Sequence, residues 1–136
     1  MKISGKKRRQ VMLASLGGIA TGFVIPDAAA QDAAKVMPRA YRVAFENDRV
    51  RVLDFIGRPG MGVCGEGMHS HPAHLTIVMS DWQGIATAPD NAKTPRNSKV
   101  GDVFWSEAVT HKVENTGNTI ARVMIIELKT PPKAKA

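Results

Sequence analysis

Met68-His69-Ser70-His71-Pro72-Ala73-His74-Leu75-Thr76-Ile77-Val78-Met79 is the stretch on which the reading of this chain turns. It holds three of the four histidines and runs directly into a β-branched, apolar segment. Alternate residues of a strand share one face, so His69 and His71 point the same way, and His74 and Thr76 form a second such pair. The fourth histidine, His111, lies far along the chain. Two imidazoles from one strand and a third from a distant strand make one side of a coordination shell. Imidazole suits zinc, iron, copper and nickel, and a mixed nitrogen and oxygen shell also admits manganese. The expected cofactor is one divalent ion of that set, held by His69, His71 and His111.

The strand pattern continues on both sides of this stretch. Tyr41 to Phe45 alternates and ends in an Asn47-Asp48 turn, and Val50 to Ile56 follows, closed by Gly57 and Pro59-Gly60. His74 to Met79, Gly84 to Ala88, Gly101 to Trp105 and His111 to Asn115 read as further strands. Ile120 to Leu128 is the most apolar, as a central buried strand should be. Pro89 to Asn97 is polar with two prolines and reads as a loop. Short strands at close spacing, without a convincing helix after residue 30, predict an all-β sandwich or barrel over 41–129. Alternate residues of a barrel face inward, so polar groups two apart can converge on one interior point.

The ends carry different signals. Lys6-Lys7-Arg8-Arg9 is a basic cluster, Val11 to Ile25 is apolar, and Ala28-Ala29-Ala30 supplies small residues before Gln31. This predicts an export signal over 1–30, removed at Gln31, and hence a periplasmic or otherwise exported protein with no stable membrane span after cleavage. Arg8-Arg9-Gln10-Val11-Met12 resembles the twin-arginine export signal, with Val11 where phenylalanine is usual; an ordinary secretory signal is the alternative. Residues 31–40 read as an N-terminal tether and 130–136 as a disordered tail.

The 136-residue chain carries a net charge of +7, enough length for one domain. Setting aside Lys2, Lys6, Lys7, Arg8 and Arg9 against Asp27 reduces that charge to +3. The remaining basic residues are scattered, with one tyrosine in the whole chain and no aromatic-interleaved basic stripe, which argues against nucleic acid as a partner. Cys64 is the single cysteine, so no intrachain disulfide forms.

These motifs resemble the cupin superfamily, in particular small single-domain proteins of the cupin-2 type. Cupins carry a first motif, G-x5-H-x-H-x3or4-E-x6-G, and a second, G-x5-P-x-G-x2-H-x3-N. Met68-His69-Ser70-His71 matches the centre of the first, and Gly101-Asp102 through His111-Lys112-Val113-Glu114-Asn115 the second. Glu46 to Val52 and Pro59-Gly60 also look like small cupins, so the likeness runs from about Ala44 to Lys129. It implies a conical jelly-roll barrel, often a homodimer, with a metal held inside by both motifs and a small-molecule ligand or substrate as partner.

The departures bear on chemistry. Leu75 and Thr76 stand where the first motif's glutamate belongs, Gly62 is off register, and Glu107 and Val109 replace the second motif's proline and glycine. Three-histidine cupins without the glutamate include thiol dioxygenases and some diketone-cleaving dioxygenases. A lost carboxylate removes a negative charge and leaves coordination positions open. His74 then has three readings: a replacement ligand near Thr76, a general acid/base beside the metal, or a histidine hydrogen-bonded in the barrel wall. Arg51 and Trp105 are weaker candidates for substrate binding, and an outward, salt-bridged arginine is an equal reading of Arg51. Glu66 reads as a solvated loop carboxylate, and Asn115 as a turn-fixing residue near His111. Met68, Met79 and Phe104 read as core or pocket wall.

Three functions remain open at this level. One is a metal-dependent small-molecule enzyme of the dioxygenase, lyase or isomerase type. The second is a non-catalytic metal-dependent binder or sensor of small ligands, and the third a structural barrel without metal.

Overall fold

The computed structural model describes residues 31–62 and 67–130. The expected export signal, Cys64, Glu66 and the tail from Pro131 onward lie outside the described residues. Nine strands follow a short helix: α1 (Ala33–Val36), β1 (Tyr41–Glu46), β2 (Val50–Gly57), β3 (His69–His71), β4 (His74–Val78), β5 (Trp82–Thr87), β6 (Lys93–Ser98), β7 (Val103–Ser106), β8 (Val109–Asn115) and β9 (Ala121–Leu128).

The strands form two sheets, ordered β1-β2-β9-β4-β7 and β3-β8-β5-β6, and all their pairings are antiparallel. From β3 onward the chain passes repeatedly between the two sheets. This is the all-β architecture that the strand pattern predicts, in the jelly-roll form that the cupin resemblance implies.

Period-two alternation builds the core. On β9, Ala121, Val123, Ile125 and Glu127 are buried, while the residues between them turn outward. β9 lies between β2 and β4, so it is covered on both edges, as its composition predicts. Leu53, Phe55, Val78, Trp82 and Tyr41 complete the same apolar cluster. The outer face of β2 carries Asp54, buried beneath two arginines: Arg42 Nη2 donates to it at 3.2 Å and Arg122 Nε at 3.3 Å. Burial opposes ionisation of Asp54, but the hydrogen bonds from Arg122 and Arg42 prevail and hold its carboxyl below the usual range.

The N-terminal tether at residues 31–40 carries a short helix that docks on the barrel. Asp32 caps α1, its Oδ1 accepting the Ala34 N–H at 3.0 Å, and Ala33 is fully buried. Asp32 also bridges Ser70 of β3. One expectation changes: much of the presumed loop at Pro89 to Asn97 is strand β6. As an edge strand β6 pairs only with β5, so Pro95 has no second ladder to break and all β6 residues but Ser98 keep solvent exposure.

Candidate metal centre

His69 and His111 face each other directly across the β3–β8 ladder. Opposite residues of an antiparallel pair share a face, and His71 lies two residues along β3 on that same face. Strand parity therefore brings the three imidazoles together, with ring centroids 4.9 Å apart for His69–His71, 5.0 Å for His69–His111 and 5.5 Å for His71–His111. One ring nitrogen from each lies within 4.8 Å of the others.

Hydrogen bonds select the ring nitrogen that is left for a ligand. His69 Nδ1 donates to the Gly67 carbonyl at 2.5 Å, and His71 Nδ1 donates to Glu127 Oε1 at 2.6 Å. With the proton on Nδ1, the lone pair is on Nε2. The Nε2 atoms of His69 and His71 are buried and have no hydrogen-bond partner among the described residues. A buried polar atom without a partner is costly, and a divalent cation is the partner that three convergent lone pairs fit. Burial, partly opposed by the Gly67 carbonyl, pushes His69 down to about 4. His111 is pushed down to about 3, first by burial and then by His69, His71, His74 and Arg96. His69 and His111 are thereby held neutral near pH 7, the state that binds metal.

Glu127 is the residue that sequence reasoning missed. It is 1% exposed and stands opposite Arg51 on β2 and His74 on β4. Its Oε2 accepts Arg51 Nε at 2.6 Å, and Arg51 Nη1 donates onward to Asp32 Oδ2 at 2.6 Å. Burial raises the Glu127 pKa, but the bonds from His71 and Arg51 outweigh it and keep the carboxyl below its usual range. A carboxylate behind a ligating histidine fixes tautomer and ring orientation and strengthens the ligand. The signal was present: Glu127 is the single acid of the most apolar strand and shares parity with Val123 and Ile125. Tyr41 was also missed as a neighbour of the site, with its ring centroid 4.7 Å from that of His69. Burial and then the Glu127 charge push its phenol well above the ordinary range, so it stays protonated.

The trio adjoins a cavity of about 380 Å³ between the sheets, which His71, His74, Thr76, Phe104 and His111 help to line. His74 lies outside the convergent trio: its Nδ1 donates to the Pro72 carbonyl at 2.7 Å, and its ring stands 5.2 Å from that of His71. Burial lowers its pKa, so it too is held neutral. Thr76, at the missing glutamate's place, is buried on the cavity side as parity predicts. Arg51 does not line the cavity, because both faces of its guanidinium are committed to Glu127 and Asp32. Trp105 does not line it either. It alternates with the inward Phe104, is 49% exposed, and donates its indole N–H to Glu107 Oε1 at 2.7 Å. Met79 is exposed. Asn115 is structural: its Nδ2 donates to the Gly57 and Thr119 carbonyls, each at 2.8 Å.

No protein-family model and no curated protein matches the sequence. Solved structures do. A cupin domain from Bordetella pertussis Tohama I superposes with a TM-score of 0.58 at 23% identity, over 66% of this chain and 92% of that one. A protein from Bacillus halodurans gives 0.51 at 22% identity, over 71% and 74%. A cupin-2 domain protein from Shewanella frigidimarina gives 0.45 at 18% identity, over 66% and 80%. The likeness to the Bordetella cupin domain, together with the two-sheet topology, shows that this chain has the cupin fold.

Proposed function

We propose that the protein is an exported, divalent-metal-binding cupin that acts as a metal-dependent small-molecule enzyme of the dioxygenase, lyase or isomerase type. The observation that carries this reading is the convergence of His69, His71 and His111 at the wall of an apolar cavity, with the Nε2 atoms of His69 and His71 buried and unpartnered. A bound divalent ion supplies Lewis-acid chemistry there, or redox chemistry if it is iron.

The chain's own residues do the rest. His69 and His71 are locked in one tautomer by Gly67 and Glu127. No carboxylate stands at the Thr76 position, so three protein donors leave coordination positions for substrate or water. His74 holds its proton on Nδ1 against Pro72, which leaves Nε2 free to accept a proton from a ligand in the cavity. The apolar walls limit water around the reacting centre. Export through the twin-arginine route, supported by Arg8-Arg9 and the apolar stretch behind them, would let the metal be loaded before transport. Homodimerisation is part of the same proposal, supported by Val43 and Phe45, which are 42% and 53% exposed on edge strand β1.

A non-catalytic metal-dependent binder is the competing reading, and it makes a different demand on the metal. In protein loaded with one Mn²⁺ per chain, the enzyme reading expects a metal-bound water in exchange with bulk, seen as enhanced solvent proton relaxation that a coordinating anion suppresses. Full manganese occupancy without that enhancement contradicts it and leaves the binder.

A further inference from the structure

Among the described residues, Arg96 is the one lysine or arginine that lines the cavity. It lies on edge strand β6, directly opposite Gly84 of β5. Opposite residues share a face, and Trp82, Gly84 and Ala86 are the buried, inward residues of β5. Gly84 is itself required here, because a Cβ would collide with the Trp82 ring and the Glu114 carbonyl. Arg96 thus stands on the cavity side of β6, exposed at the rim, and its guanidinium carbon lies 5.9 Å from the centroid of the Phe104 ring on β7. β6 and β7 are edge strands of opposite sheets, so the contact spans the side where the barrel opens. Among the described residues Arg96 has no ion-pair partner, which it shares with Arg39, Arg49 and Arg58 but not with Arg42, Arg51 and Arg122; of the unpaired four it is the one at this cavity. Glu107, the carboxylate of the same cavity wall, takes the Trp105 indole N–H.

We propose that Arg96 is the anion-binding residue of the cavity and that its ligand is a small monocarboxylate with an apolar body. This deepens the small-molecule reading of the site and rests on it, though not on the identity of the metal. Charge and shape point the same way. Glu127 is occupied by His71 and Arg51, and Glu107 at the rim takes the Trp105 indole N–H, so Arg96 is left to meet a ligand anion. A ligand carboxylate matches the guanidinium fork in a bidentate pair. Phe55, Val78, Phe104, Val123 and Ile125 offer its body an apolar wall. The volume of about 380 Å³ suits roughly a dozen non-hydrogen atoms at ~30 Å³ each. A charge on an edge strand also discourages edge-to-edge pairing; that role alone would alter assembly and leave ligand affinity untouched.

Calorimetric titration with cinnamate and with its neutral amide, cinnamamide, tests this. Wild type, Arg96→Gln and Arg96→Lys are compared, each chelator-treated and zinc-loaded, with zinc content and elution volume measured on every sample. Wild type is expected to bind cinnamate at least tenfold more tightly than cinnamamide. Arg96→Gln abolishes that preference with zinc content unchanged, and Arg96→Lys keeps part of it. Equal affinities in wild type, a preference that survives Arg96→Gln, or a change in elution volume alone would overturn the proposal. An Arg96-dependent preference in protein that takes up no zinc would sustain it while removing the metal reading. Zinc held by the histidines without the preference would do the reverse.

Discussion

Replacing Glu127 by alanine lowers the affinity for a divalent ion about 10- to 100-fold and costs about 3 kcal/mol of folding stability. Both effects follow from what the carboxylate touches. Its side chain is 2% exposed, accepts His71 Nδ1 on one oxygen and Arg51 Nε on the other, and so ties an imidazole to a guanidinium. Without it the His71 ring loses the acceptor that keeps its lone pair on Nε2, and Arg51 keeps only Asp32. The remaining Asp32 bond places the stability cost near the lower end for a broken buried pair. Glu127→Gln separates the two effects. Its carbonyl still accepts from His71, while its amide faces the donors of Arg51. Stability is therefore lost in Gln as well, but zinc affinity falls less than in Ala. Competition titration against a chromophoric chelator and urea unfolding measure the two quantities. An unchanged zinc affinity in Glu127→Ala would confine the residue to folding.

Asn115→Ala is expected to destabilise the fold by about 3 kcal/mol, lowering Tm by roughly 10–20 °C, with metal content unchanged. The side chain is 1% exposed and makes three hydrogen bonds: Nδ2 to the Gly57 and Thr119 carbonyls, and Oδ1 from the Gly117 N–H. It joins the end of β2 to the turn between β8 and β9, and alanine leaves the buried Gly57 carbonyl without this partner and unties the turn. Thermal unfolding with elemental analysis on the same samples checks both halves. Metal loss alongside retained stability would make Asn115 a member of the metal site instead.

The parts of the fold and site that were legible are those that depend on parity along one strand. His69 with His71, and His74 with Thr76, share faces because of spacing alone, and the alternation on β9 marks a covered central strand. What could not be read needed two strands at once. Glu127 meets His71 and Arg51 only after β9 is placed between β2 and β4, so Arg51 read equally well as a substrate contact or a salt-bridged residue. Asp32 looked like linker because its partners, Arg51 and Ser70, are distant in sequence. β6 was hidden by polarity and Pro95, which an edge strand tolerates and a central one does not. Arg96 inherited the same error: inside a presumed loop it had no parity, and opposite Gly84 it turns toward the cavity.

The most direct test is elemental analysis of protein purified without added metal, beside a His69→Ala, His111→Ala double variant. About one iron, manganese, nickel, copper or zinc per chain in wild type, falling to trace levels in a variant that still folds, is the predicted result. A folded wild type that carries no such metal and takes none up on titration would contradict the metal centre and the enzyme built on it.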